Sequence, residues 1–340
     1  MTNAVADDDA TASQAPTEPV VVGYPDHKGV RVERVTYPNI RFETVIAANL
    51  FLPANLDSDR KHAAILVGHP FLGVKEQTSG LHAQLLAEQG YIAMAFDASH
   101  YGDSTGEPRF MESPAIRVED FHAGVDFLSN HPLVDPERIG VLGICGGGGY
   151  SVNAAQMDHR IRAIATVSMF DLGRVRREGL DGEITQEARM KILDAVAQER
   201  TKESSGQPAR FFDMQTDQFG SGAPLGEKTA ALGADLMDYY ATPRGAHPNC
   251  TGVFTFTSLP GMFGFFPFTQ IETISPRPLL MIVGEKAPSA YFSEDAYSKA
   301  AEPKELFVIP GASHADLYDK APYITQSLEK LVGFFNDNLK

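Results

Sequence analysis

One cysteine stands where a catalytic nucleophile is expected. The segment VLGICGGGGYS, residues 141–151, follows an apolar run typical of a buried strand and precedes a stretch typical of a helix. Cys145 lies two residues after Gly143 and two before Gly147. A tight strand-to-helix turn strains its central residue and accepts only small neighbours at these two positions. The start of the helix would also favour a thiolate. The pattern predicts that Cys145 is a nucleophile.

The alternatives for this segment are weaker. A glycine-rich turn around an inert buried cysteine is the simplest one, but the strand–turn–helix context favours catalysis. Ser151 lies inside the expected helix and lacks a small residue two positions later. Cys250 lies in a loop (HPNCTG) and is interpreted as incidental.

A nucleophile needs a base, and His314 is the best-placed histidine. It follows the last apolar strand, in FVIPGASHADLY, and precedes the final helix. A base is found at this place in enzymes that order nucleophile, acid and histidine along the chain. The acid stays open between Glu285, 29 residues earlier, and Asp171, at the end of the strand after Cys145. The usual acid position after the penultimate strand is Ala287.

Two backbone amides should stabilise an oxyanion. One is that of Gly146, and the other comes from the loop GHPFLG, residues 68–73. Pro70 has no N–H, so Phe71 is the expected donor, with Leu72 as the alternative.

An aromatic-rich stretch, VFTFTSLPGMFGFFPF, must cover something, because each buried phenylalanine stabilises by roughly 1.5–3 kcal/mol. It predicts an apolar acyl pocket; internal packing and a homodimer interface are the alternatives. The expected pocket residues are His69, Phe254, Phe263, Phe265 and Phe266.

The elements that must position these residues alternate between strand and helix. Short apolar runs such as HAAILVG, YIAMAF, RIGVLGI and RPLLMIVG are separated by amphipathic helices. This alternation predicts an α/β protein with a doubly wound, mostly parallel sheet. It breaks between residues 172 and 276, which predicts a helical cap inserted after the sixth strand. Residues 21–171 and 277–340 would form the core, and residues 1–20 a disordered tail.

The composition excludes several classes of binding partner. The formal charge is −15, from 29 basic and 44 acidic residues, which argues against nucleic acid and anionic membranes. Two cysteines are too few for a disulfide framework, and neither a signal peptide nor an apolar span is evident. The glycine run lacks the spacing of nucleotide-binding motifs. We therefore expect a cytoplasmic protein that uses no cofactor or metal and acts on a small molecule.

The segments GHPFLGVKEQ, FDASHYGDSTGEPR, GICGGGGY, VSMFDLGR, GEKAPSAYFSEDAY and PGASHADLY resemble the α/β-hydrolase superfamily. The resemblance covers roughly residues 30–340 and is strongest to dienelactone-hydrolase-like and bacterial peptidase-related hydrolases. It implies a cysteine, a histidine and an acid, which supports Cys145 and His314. The expected activity is a hydrolase or acyltransferase acting on an ester, lactone or thioester. A peptidase and a catalytically silent binding scaffold are the alternatives.

Overall fold

The computed structural model describes residues 28–214 and 226–339; the tail predicted for residues 1–20 lies outside the described residues. The strands are β1 Arg31–Asn39, β2 Thr44–Leu52, β3 His62–Gly68, β4 Ile92–Phe96, β5 Val134–Ile144, β6 Ile161–Val167, β7 Phe211–Asp213, β8 Val253–Thr255, β9 Leu279–Gly284 and β10 Lys304–Ile309. The α-helices are α1 Thr78–Glu88, α2 Pro114–Asn130, α3 Gly146–Met157, α4 Leu172–Glu178, α5 Gln186–Ser204, α6 Glu227–Tyr240, α7 Leu259–Phe263, α8 Ala290–Lys299, α9 Asp316–Asp319 and α10 Ala321–Asn338.

Eight strands form one sheet, in the order β1-β2-β4-β3-β5-β6-β9-β10. Strand β2 pairs antiparallel with β1 and β4, and the other pairs are parallel. Strands β4 and β9 are buried along their whole length, so both of their faces are covered. Continuous apolar runs have this pattern in parallel strands between two helical layers. The predicted doubly wound, mostly parallel sheet is confirmed.

Residues between β6 and β9 contribute no strand to this sheet within the part of the chain that is described. This part of the chain contains the longer helices α5 and α6 and the shorter helices α4 and α7. Strands β7 and β8 form a separate antiparallel pair. We refer to residues 172–276 as the insertion.

No helix within residues 28–214 and 226–339 has the length and apolar composition required to cross a membrane.

Candidate active site

Cys145 occupies the turn between β5 and α3, which we call the Cys145 turn (residues 143–147). Its backbone has φ 52° and ψ −120°, a left-handed conformation that is strained for a side chain with a Cβ. A Cβ at Gly147 would lie 2.6 Å from the carbonyl oxygen of His69. The glycine at this position is therefore needed for the close approach of two backbone segments. The strand–turn–helix context predicted from the sequence is confirmed.

The two amides predicted for the oxyanion hole converge on the sulfur. Cys145 Sγ accepts hydrogen bonds from the backbone N–H groups of Gly146 and Phe71. A Cβ at Gly146 would lie 3.0 Å from the nitrogen of Phe71, which shows how closely the two segments approach. The alternative donor, Leu72, instead places its side chain in the wall of a cavity.

The thiol lies in an apolar environment, with 5% of Cys145 exposed. Burial raises the pKa of Cys145, and hydrogen bonds from Tyr318, Gly146 and Phe71 only partly oppose this effect. The sequence argument from the helix start favoured a thiolate; in the structure, desolvation of the charged form is the larger influence. The resting group is a neutral thiol.

His314 lies in the loop after β10 and is fully buried. Its Nδ1 lies 2.6 Å from Ser289 Oγ, and its Nε2 lies 3.0 Å from the hydroxyl of Tyr318. The ring of Phe170 packs edge-on against the imidazole, at a centroid distance of 5.9 Å. Burial lowers the pKa of His314 to about 3, so the imidazole is neutral around pH 7.

The two carboxylates expected as the acid have other partners. Glu285 accepts a hydrogen bond from the N–H of Gly311, at 2.8 Å. Asp171 caps α4 by accepting one from the N–H of Arg174, also at 2.8 Å. The structure does not bring either carboxylate to the imidazole, where Ser289 occupies Nδ1 instead. Ala287, at the usual acid position, is buried and apolar.

Sequence reasoning missed Ser289 and Tyr318. Tyr318 lies on the single turn of α9, four residues after His314, but His314 precedes that helix, so helical spacing could not have identified the pair. Ser289 is the first hydroxyl-bearing residue after β9, but nothing local distinguishes it from a residue that begins a helix.

A cavity of about 130 Å³ opens on Cys145. Its lining is mostly apolar and comes from residues 68–73 (the oxyanion loop of the sequence prediction), from the chain after β6 and from α6 in the insertion. The lining residues are Phe71, Leu72, Cys145, Phe170, Leu172, Val175, Arg176, Met214, Gly233, Leu236, Met237, Tyr240, Cys250 and Gly252. Cys250, interpreted as incidental, thus shares this cavity and donates to the carbonyl of Leu72 at 3.3 Å.

The pocket residues expected from the sequence are not among the residues that line this cavity. Phe254 is buried one layer further back, against Phe71 at a centroid distance of 5.6 Å. Phe265 packs on Tyr150 instead, at 5.3 Å, and Phe263 is also buried away from the cavity. Phe266 is 55% exposed. The aromatic stretch therefore packs the insertion onto the core, and the cavity wall comes from α4 and α6.

His69 supports the oxyanion loop from behind. Its Nδ1 donates to the carbonyl of Pro70 at 2.7 Å, and its Nε2 accepts from the N–H of Ala98 at 3.1 Å. Burial and the nearby guanidinium of Arg117 lower its pKa well below the usual range. The neutral imidazole, hydrogen-bonded through both ring nitrogens, holds Pro70 in place next to Phe71.

Helix α6 also holds the loop that carries His314. Asp235 accepts from the Ser313 hydroxyl at 2.9 Å and from the N–H of Ala315 at 2.8 Å, so its carboxylate is bound on both sides of the histidine. Just beyond α6, Arg244 donates to the carbonyl of Ala315 at 3.2 Å. The insertion therefore lines the cavity and holds the loop that carries His314.

Among the described residues, only Glu76, Asp97 and Asp103 form a group close enough to hold a metal ion. The Nζ of Lys75 lies 2.7 Å from Glu76, 2.7 Å from Asp97 and 2.6 Å from Asp103. The ammonium occupies the centre of the group, which makes it an ion-pair network. It ties the segment after the oxyanion loop to the loop after β4.

Comparison with known proteins extends these observations. Residues 46–171 match the Dienelactone hydrolase family. The Pseudomonas aeruginosa protein PA2218 is 44% identical over 320 residues, which is 93% of this chain and 83% of that protein. Its crystal structure has a TM-score of 0.86 and covers 96% of this chain and 99% of that chain.

Two fungal proteins are more distant. The α/β hydrolase GrgF from Penicillium sp. sh18 has a TM-score of 0.76 at 20% identity, covering 91% of this chain and 99% of its own, and it supports the fold alone. A thiohydrolase of Aspergillus aculeatus is 27% identical over 293 residues, covering 84% of this chain and 86% of its own. The chain therefore belongs to one family with PA2218, has the fold of the α/β hydrolase GrgF, and matches the Dienelactone hydrolase family over residues 46–171.

Proposed function

We propose that this protein is a cysteine-dependent hydrolase or acyltransferase that cleaves an ester, lactone or thioester through an acyl group on Cys145. Its family and fold are those of hydrolase-type enzymes acting on ester-like bonds. The observation that carries the proposal is the convergence of the Phe71 and Gly146 amides on the sulfur of a strained turn. The hydroxyl of Tyr318 hydrogen-bonds the same sulfur and lies 3.0 Å from Nε2 of the buried His314.

The reaction follows from this geometry. The proton of the Cys145 thiol ends on His314 Nε2, and the sulfur attacks the carbonyl carbon. The carbonyl oxygen becomes an oxyanion, which the N–H groups of Phe71 and Gly146 stabilise. The intermediate collapses, and the leaving alkoxide or thiolate takes the proton from the imidazolium. Water or an acceptor alcohol then attacks the thioester, with His314 again receiving and returning the proton.

The cavity favours an apolar acyl group. Leu172, Val175, Leu236 and Met237 surround the space next to the sulfur, and each buried methylene contributes about 0.8 kcal/mol. We therefore expect kcat/KM to rise about fourfold per methylene until the cavity is filled. The name of the Aspergillus relative, a thiohydrolase, supports a thioester as the substrate bond.

One observation favours a second function. The imidazole of His314 pairs with Ser289 and not with a carboxylate, so an imidazolium would form at higher cost than in a triad with an acid. A scaffold that binds an apolar acyl compound without cleaving it is consistent with this arrangement.

Kinetics of Cys145→Ala separate the two functions. We expect kcat for p-nitrophenyl esters and N-acetylcysteamine thioesters of increasing chain length to fall by at least about 10³-fold. The matched control is Ser151→Ala, because Ser151 lies on the first turns of α3 and donates to the carbonyl of Gly148 at 3.0 Å. Its turnover should be retained. Turnover that survives Cys145→Ala, or a wild-type protein that binds these compounds without cleaving them, would contradict the proposal.

A further inference from the structure

A tyrosine hydroxyl lies between the thiol and the imidazole. Tyr318 hydrogen-bonds Cys145 Sγ, and the same hydroxyl oxygen lies 3.0 Å from Nε2 of His314. All three side chains are buried, with Tyr318 and His314 fully so. The hydroxyl of Tyr318 therefore lies on the path of a proton that moves from the sulfur to Nε2 of His314.

The ring of Tyr318 is held on several sides. Tyr239 packs edge-on against it at a centroid distance of 5.0 Å, and His314 does so at 5.6 Å. The backbone carbonyl of Tyr318 accepts from the Thr78 hydroxyl at 3.0 Å. Because the ring and the backbone are both fixed, the hydroxyl is positioned by packing.

The other ring nitrogen of His314 is not open to the substrate. Its Nδ1 is 2.6 Å from the buried Ser289, so Nε2 is the nitrogen that exchanges protons. We infer, on the basis of the function proposed above, that Tyr318 is a catalytic residue that relays the proton between Cys145 and His314.

The relay balances without another reactant. The S–H bond of Cys145 and the O–H bond of Tyr318 break, while a new O–H bond forms on Tyr318 and an N–H bond forms on His314. The products are a thiolate and an imidazolium, and the tyrosine is unchanged. The reverse path delivers the proton to the leaving group. Burial raises the pKa of Tyr318 well above its usual range, so the phenol stays neutral and passes both protons in one step.

Tyr318→Phe removes the hydroxyl and keeps the ring. The rate of p-nitrophenol release in the first turnover should fall by about 10²-fold, the size of a lost proton-transfer group, while KM changes by less than about twofold. Tyr323→Phe is the matched control, since that hydroxyl lies in the same C-terminal region and makes a long hydrogen bond, of 3.4 Å, to the Gly311 carbonyl. It should react as the wild type does. An unchanged or faster first turnover in Tyr318→Phe would overturn the relay and show that the hydroxyl merely covers the thiol.

A second measurement needs no variant. The first-turnover rate of the wild type would be measured in mixtures of H₂O and D₂O. If two protons move together, a plot of this rate against the deuterium fraction is curved. The resting thiol prefers protium, so the curve is first corrected for that preference; a corrected dependence that one proton accounts for would overturn the relay even if Tyr318→Phe failed to fold. The relay and the proposed function can fail separately. If Cys145 is acylated but the isotope dependence requires only one proton, the relay is wrong and the proposed function stands. If the acyl group forms on another residue, both proposals are wrong.

Discussion

The Cys145 turn and the His314 loop (residues 310–315) are the two halves of the site, and they are held in different ways. The turn is fixed by the backbone: Cys145 has φ 52°, and at Gly147 the chain at the end of β3 approaches so closely that a Cβ would collide with its carbonyl oxygens. The histidine is fixed by side chains that are distant along the chain. Ser289 holds its ring, and Asp235 holds the residues on both sides of it.

This difference shows which half of a catalytic site depends on local sequence. A strained turn needs glycines at set positions, so changes there should act on the backbone. The loop depends on hydrogen bonds from α6 and from the start of α8, so changes there should act on the reaction and leave the fold intact.

Adding one methyl group to the turn should have the largest effect. In Gly147→Ala the new Cβ would lie 2.6 Å from the carbonyl of His69 and 2.7 Å from that of Gly68. Overpacking of this kind costs about 1–3 kcal/mol, and the shift would also separate the oxyanion amides, so both urea stability and turnover should fall. Gly333→Ala on α10 is the control, because nothing lies within 4 Å of its Cβ. It should gain about 1 kcal/mol. Equal stabilities of the two variants would show that the turn is not packed as described.

Removing the partner of the histidine ring should have a smaller effect, on turnover alone. Ser289→Ala deletes one buried hydrogen bond worth about 0.5–1.5 kcal/mol, so kcat should fall by up to about tenfold. Glu285→Gln should change kcat by less than about twofold, because an amide oxygen can still accept from Gly311. The opposite ranking of the two variants in steady-state kinetics would transfer the orienting role to Glu285.

The smallest effect is expected from substitutions at the contact between α6 of the insertion and the His314 loop. Asp235→Asn keeps one oxygen for the N–H of Ala315 but loses the negative charge, so kcat should fall by about threefold with KM nearly unchanged. Glu227→Gln, which neutralises an exposed acid in the first turn of the same helix, should leave both parameters as they are. A change in KM without a change in kcat would mean that α6 serves only the cavity.

The same difference explains what could be predicted from the sequence. The parallel strands were recognisable because strands such as β9 are continuous apolar runs, and the Cys145 turn was recognisable because Gly143 and Gly147 flank its central residue. Ser289 was not recognisable, because its role depends on where α8 begins relative to a loop 25 residues later.

The residues that form the cavity wall could not be predicted from the sequence either. The phenylalanines of the aromatic stretch are conspicuous in the sequence, yet Phe254 lies behind Phe71, and α6 supplies much of the apolar surface. Composition shows that a segment must be buried, but only packing decides what it is buried against.

The central claim is that Cys145 carries the acyl group, and mass spectrometry of a trapped intermediate tests it most directly. The full chain would be mixed with an octanoyl p-nitrophenyl ester, quenched in acid during the first turnover and digested. We predict one octanoyl group on the peptide that contains Cys145, and none on that peptide in Cys145→Ala. An octanoyl group on Ser151 or Cys250, or turnover with no acylated peptide, would contradict the account.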